Sequence, residues 1–95
     1  MTIVDIYLEE GFFRDAVDIW SGTVRLAQLI ETTTNVAIGL AAHVTLDVPD
    51  EATLHVQRGP DGVELTVDPL HPHIGVSATE EGLISRSSDV PFPRA

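Results

Sequence analysis

Apolar and polar residues alternate along most of this chain, and the alternation is clearest from Leu40 to Gln57. Val44, Leu46 and Val48 fall on one side of an extended segment, with His43, Thr45 and Asp47 on the other. After Pro49-Asp50-Glu51-Ala52 the pattern returns, with Leu54 and Val56 opposite Thr53, His55 and Gln57. Side chains on a strand point alternately to the two faces, so each segment has one face to bury and one to wet. Read locally, the two segments form a hairpin around a proline corner.

The same period recurs on both sides of it. Thr2 to Glu9 places Val4, Ile6 and Leu8 on one face and Ile3, Asp5 and Tyr7 on the other, and Glu10-Gly11 turns the chain. Phe12 and Phe13 follow at the corner and are expected to cap one end of the core. Ala16 to Ser21 puts Val17 and Ile19 inward and Asp18 and Trp20 outward. Val24 to Ile30 is a less regular strand, its alternation broken near Gln28 as a β-bulge would break it. Phe13, Val17, Trp20, Val24 and Ala27 also fit helical spacing, but Gly22 and the β-branched Thr23-Val24 pair disfavour a helix there. Val36 to Ala42, with small residues at Gly39, Ala41 and Ala42, is expected to approach another layer closely and to lie at an unprotected edge.

Beyond Gln57, Arg58-Gly59-Pro60-Asp61-Gly62 is a dense turn cluster. Val63, Leu65 and Val67 then face inward, as do Ile74, Val76 and Ala78 after the stiff Pro69-Leu70-His71-Pro72 connector. Thr79-Glu80-Glu81-Gly82 turns into a last strand from Leu83 to Ser88. Seven or eight short strands with turns every 8–12 residues predict an all-β fold, a small antiparallel β-sandwich. Residues 1–88 form one domain. Residues 89–95 form an extended, proline-containing tail whose Val90 and Phe92 are placed to clip onto the sandwich edge.

Composition narrows the functional classes. The 95 residues carry 15 acidic side chains against 5 arginines, no lysine and no cysteine, for a formal net charge of -10. Nucleic-acid backbones and anionic membranes both require positive charge, so neither is an expected partner. A protein partner or a second copy of the chain is. Disulfides, thiolate metal sites and cysteine nucleophiles are excluded. The acidic start and the absence of any apolar run of about 20 residues point to a soluble, cytoplasmic protein.

Four histidines, His43, His55, His71 and His73, fall on polar faces or in a connector. Imidazoles at such spacings can hold zinc, nickel or copper, with His43 and His55 on the two arms of the expected hairpin near Asp47. Surface histidines of no special role have the same pattern. The acidic pairs Glu9-Glu10, Asp50-Glu51 and Glu80-Glu81 lie at turns, where solvation keeps them from general acid work. Gly75-Val76-Ser77 lacks the second glycine of a nucleophile elbow, and no glycine-rich phosphate loop precedes a helix. The chain is therefore expected not to be an enzyme. Tyr7, Trp20 and Phe92 form a candidate interaction surface, Tyr7 and Trp20 being expected on outward faces of neighbouring strands.

Two resemblances bear on this. Asp18-Ile19-Trp20-Ser21-Gly22-Thr23, with the later Val48-Pro49-Asp50-Glu51-Ala52-Thr53-Leu54-His55-Val56, resembles the PEGA and carboxypeptidase-regulatory-like sandwiches; Glu51-Ala52 stands where those have a turn glycine. Leu8-Glu9-Glu10-Gly11-Phe12 and Ser88-Asp89-Val90-Pro91-Phe92 are similar to the ends of a group of short bacterial all-β proteins. Both resemblances imply a non-catalytic accessory or binding module, and neither supplies catalytic residues.

Overall fold

The computed structural model describes residues 1–35 and 37–92. The chain builds eight strands: β1 (Thr2–Leu8), β2 (Asp15–Ser21), β3 (Val24–Thr32), β4 (Ala42–Val48), β5 (Thr53–Arg58), β6 (Asp61–Thr66), β7 (His73–Thr79) and β8 (Gly82–Ser88). They form two four-stranded sheets in the orders β4-β1-β7-β8 and β3-β2-β5-β6, packed as a small β-sandwich. Every pairing is antiparallel except β1 with β7, which is parallel, so the first sheet is mixed. No helix forms among the described residues, and none is long and apolar enough to cross a membrane.

The inward positions predicted by alternation make the core. Val4, Ile6, Leu8, Val17, Ile19, Leu54, Val56, Val67 and Val76 are essentially sealed, and Leu65 and Ile74 complete the layer. Removing that apolar surface from water, at about 25 cal/mol per Å2, is the main favourable term available to a chain without disulfides. The helical spacing from Phe13 to Ala27 has no counterpart: that stretch is the β2-β3 hairpin.

Four expectations are corrected. The segments flanking Pro49 do not pair with each other. β4 pairs β1 in one sheet and β5 pairs β2 and β6 in the other, so Pro49 to Ala52 arches from sheet to sheet. In a sandwich, two amphipathic strands can bury their apolar faces against each other across the core, and alternation cannot tell that from pairing side by side. Glu51 bends the arch with a φ of 61°. The irregularity in β3 is two bulges, with Leu26 and one of Ile30-Glu31 unpaired on either side of the expected position at Gln28. Phe12 is buried at the core's end, but Phe13 is exposed. Finally, Ala37 to Leu40 form a turn closed by an Asn35–Leu40 bridge, and the edge strand begins only at Ala42; Val36 lies outside the described residues.

Gly11 is required where β1 leaves its sheet. Its φ is +87°, and a Cβ there would stand 2.8 Å from the Ala78 carbonyl carbon. The close approach lets the Ala78 N–H donate to the Glu10 carbonyl at 2.8 Å, which ties the turn to β7.

Candidate functional site

The outer face of the first sheet carries the most elaborate group of polar side chains. Its register sets them in rows. Thr45, Asp5, His73 and Ser88 lie side by side across β4, β1, β7 and β8, and the next row is His43, Tyr7, Gly75 and Arg86. Asp5 is the hub of the first row. His43 Nε2 stands 2.9 Å from its Oδ1, Thr45 Oγ1 donates to that same oxygen at 2.9 Å, and His73 Nδ1 is 3.3 Å from Oδ2. Burial alone would raise the Asp5 carboxyl. The hydrogen bonds from His43 and Thr45 and the charges on His43 and His73 outweigh it and hold the group below its ordinary value.

Tyr7 anchors the second row. Its ring stacks on His43 at 4.4 Å between centroids, and its hydroxyl lies 3.4 Å from His73 Nδ1. Phe92, from the tail, meets Tyr7 edge-on at 5.2 Å, and the Arg86 guanidinium lies over the Phe92 ring, 4.3 Å from its centroid. Although Tyr7 is outward by parity, these neighbours leave it only 8% exposed.

Gly75 makes the last contact possible. The Glu9 side chain, 9% exposed, lies across the backbone of Gly75 to reach Arg86 in a two-pronged pair, Nε to Oε1 at 3.2 Å and a terminal nitrogen to Oε2 at 2.9 Å. Arg86 is in turn held firmly in its charged form, chiefly by the hydrogen bond to Glu9.

Comparison with protein-family models, with curated proteins and with solved structures gives no match. The reading of the site therefore rests on its own geometry.

The four histidines fall in three places. His43 and His73 meet at Asp5. His55 is on the outer face of the other sheet, with Nε2 2.5 Å from Gln57 Oε1, and His71 pairs with Asp68 at 3.0 Å in the β6-β7 connector. His43 and His55 thus sit in different sheets, and His43 is held by Asp5 rather than placed beside Asp47. His71 and His73 diverge despite their spacing of two. Among the described residues no group of three or more histidine and carboxylate side chains is arranged to hold a metal ion. At Asp5 the carboxylate itself occupies the space between the two imidazoles.

The aromatic candidates also divide. Tyr7 and Phe92 come together, while Trp20 lies on the outer face of the second sheet, half-buried, with Arg25 5.7 Å from its ring centroid. Tyr7 and Trp20 are not on neighbouring strands. The tail does clip onto the sandwich, but through Phe92 on a sheet face; Val90 stays exposed, and Pro93 to Ala95 lie outside the described residues.

Asp5, Thr45 and Arg86 were not among the sequence candidates, and Glu9, expected to be solvated at its turn, is instead buried and paired with Arg86. Gly75 inside β7 was the available signal, since a glycine within a strand often marks close approach by another group. Chemically, the cluster is a carboxylate holding two imidazoles. The Thr45 hydroxyl donates to Asp5 at 2.9 Å, and Ser88 Oγ accepts the Val90 N–H at 3.1 Å. Cavities lie beside Phe12 and Phe13, between β6 and β8 with Arg86 in the lining, and beside Glu51 and Pro69.

Proposed function

We propose that this domain is a non-enzymatic protein-interaction module working in the cytoplasm, with the β4-β1-β7-β8 sheet as its recognition side. The observation that carries the reading is the construction of that outer face. Asp5, His43, His73, Tyr7, Phe92, Glu9 and Arg86 are locked together by hydrogen bonds and ring contacts on an open sheet surface. A catalytic acid–base group works on a substrate held against it and shielded from water, whereas a rigid, partly apolar surface with fixed charges is suited to a macromolecular partner. The net charge of -10 favours a protein partner over nucleic acid or an anionic membrane.

The test is a photo-crosslinking amino acid placed at Ile3, which is exposed on this outer face, and separately at Glu64 on the opposite face, in cells producing the chain. A discrete protein adduct from position 3 and none from position 64 is the expected result. No adduct from either position, or the same smear from both, would overturn the reading.

A further inference from the structure

Four strands lie at sheet edges, and they differ in what they offer. β3 carries two bulges, which twist an edge away from further pairing. β6 and β8 lean against each other where the two sheets approach. β4 touches β3 across the sheets more sparsely, and it pairs β1 without interruption, residue for residue, from Thr2–Val48 to Leu8–Ala42. It has no proline, no bulge and no lysine among its seven residues.

Which backbone groups β4 leaves open follows from β1. The Asp5 N–H donates to the Pro72 carbonyl and the Glu9 N–H to that of Val76, both on the β7 side. Backbone groups alternate sides along a strand, so Val4, Ile6 and Leu8 bond toward β4, and Leu46, Val44 and Ala42 bond back to them. The N–H and C=O groups of His43, Thr45 and Asp47 therefore point away from the sheet.

We infer that this edge pairs with the same edge of a second copy of the chain, antiparallel about a two-fold axis at Thr45, to give a continuous eight-stranded sheet. This rests on the interaction-module reading and names its partner. The edge is self-complementary. A two-fold axis at Thr45 sets Thr45 against the partner's Thr45, His43 against the partner's Asp47, and Asp47 against the partner's His43. All three are the closely bonded kind of pair, which exchanges both N–H···O bonds. On the outer face the axis thus produces a Thr–Thr contact flanked by two imidazole–carboxylate pairs, the cross-strand combinations that stabilise antiparallel sheets. On the inner face Val44 meets the partner's Leu46, and both are only partly buried in the single chain. Asp47 is exposed, and among the described residues no hydrogen bond or ion pair engages its side chain. The symmetric contact gives it a partner.

The absence of cysteine makes the register testable. Closely bonded antiparallel partners have Cα atoms about 5.5 Å apart, within disulfide range. A Thr45→Cys chain is therefore expected to form an interchain disulfide under mild oxidation. An Asp47→Cys chain is not, because its two copies of that position would stand roughly 13 Å apart along the paired strands. Light scattering on the unmodified protein should give twice the 10.3 kDa chain mass, unchanged by a chelator, and Asp47→Lys should lower it to the single chain. A monomer in the unmodified protein overturns the inference, as does a dimer that needs zinc. A dimer that ignores Asp47→Lys, or an Asp47→Cys chain that links as readily as Thr45→Cys, overturns it too. A monomer that still gives a discrete adduct with a different protein from position 3 would sink this pairing while leaving the interaction-module reading standing.

Discussion

Replacing Gly75 by alanine tests whether the outer face is built as described. A methyl group at that position would overlap the nearer Glu9 carboxylate oxygen, and it would stand 2.9 Å from Glu9 Cδ and 3.1 Å from Phe92 Cε2. The Phe92 ring, at the end of a tail, can yield by a few tenths of an ångström. Glu9 cannot move so easily, because its N–H is fixed to the Val76 carbonyl at 2.8 Å and its carboxylate is held by Arg86. The carboxylate must leave its place, and both charge-assisted hydrogen bonds go with it. Bonds to charged groups contribute about 1.5–3 kcal/mol each when buried. Because the Arg86 side chain is 62% exposed, solvent screening brings the pair toward the about 0.2–1 kcal/mol of surface ion pairs. A combined loss of about 2 kcal/mol lies between those limits. Alanine in a strand recovers about 0.5–1 kcal/mol relative to glycine, so a net destabilisation of about 1–1.5 kcal/mol is expected.

Urea unfolding followed by circular dichroism measures this, and a double-mutant cycle with Glu9→Ala isolates the cause. In the Glu9→Ala background the methyl group has space, so Gly75→Ala should be neutral or slightly stabilising there. The coupling energy should be about 1.5–2 kcal/mol, the size expected of residues in direct contact. If Gly75→Ala lowers stability equally with and without Glu9, the strand backbone and not the carboxylate requires the glycine, and the account of this face fails.

Three further outcomes follow from the same geometry. The Asp5 carboxyl is depressed in the folded chain, so its contribution to stability is full above the ordinary aspartate value near pH 4 and is lost as pH falls through the depressed one. Between about pH 5 and pH 2 the unmodified protein should therefore lose more stability than Asp5→Asn, and parallel curves would contradict the hub role of Asp5. Phe92→Ala should lower stability by about 1–2 kcal/mol, less than the about 3–5 kcal/mol of a phenylalanine inside a core. It should also speed nitration of Tyr7, the single tyrosine, several-fold; an unchanged rate would mean that the tail does not cover that ring. Glu51→Gly should stabilise by up to about 1 kcal/mol, since an L-residue in the left-handed region carries about 1–2 kcal/mol of strain, offset in part by the greater chain freedom of glycine. Thermal melts read this directly, and a lowered Tm would show that the Glu51 side chain has a role in the arch.

What alternation made legible was the set of strands and the residues they bury, because both depend on the period of two along a single segment. Val4, Ile6 and Leu8, or Leu54 and Val56, could be assigned inward with no knowledge of their partners. Partner choice is a different kind of information. Pro49 to Ala52 joins two amphipathic strands whether the chain folds back within a sheet or arches to the facing one. The outcome depends on β1, more than 30 residues earlier, taking β4 as its neighbour. The candidate site sits on this non-local layer. His43 and His73 are brought together only because β4 and β7 flank opposite sides of β1, where Asp5 faces both. Tyr7 is buried at an outward position, with His43 stacked on its ring and Phe92 returning to it from the far end of the sequence. Had β4 and β5 formed the expected hairpin, His43 and His55 would have stood on one sheet, with His55 near Asp47 and His43 several residues farther from the turn. By pairing β4 with β1 instead, the chain puts Thr45 at the centre of a regular, self-complementary edge. The sheet order that puts His43 and His55 on different sheets is therefore the same one that leaves the β4 edge for the proposed second copy.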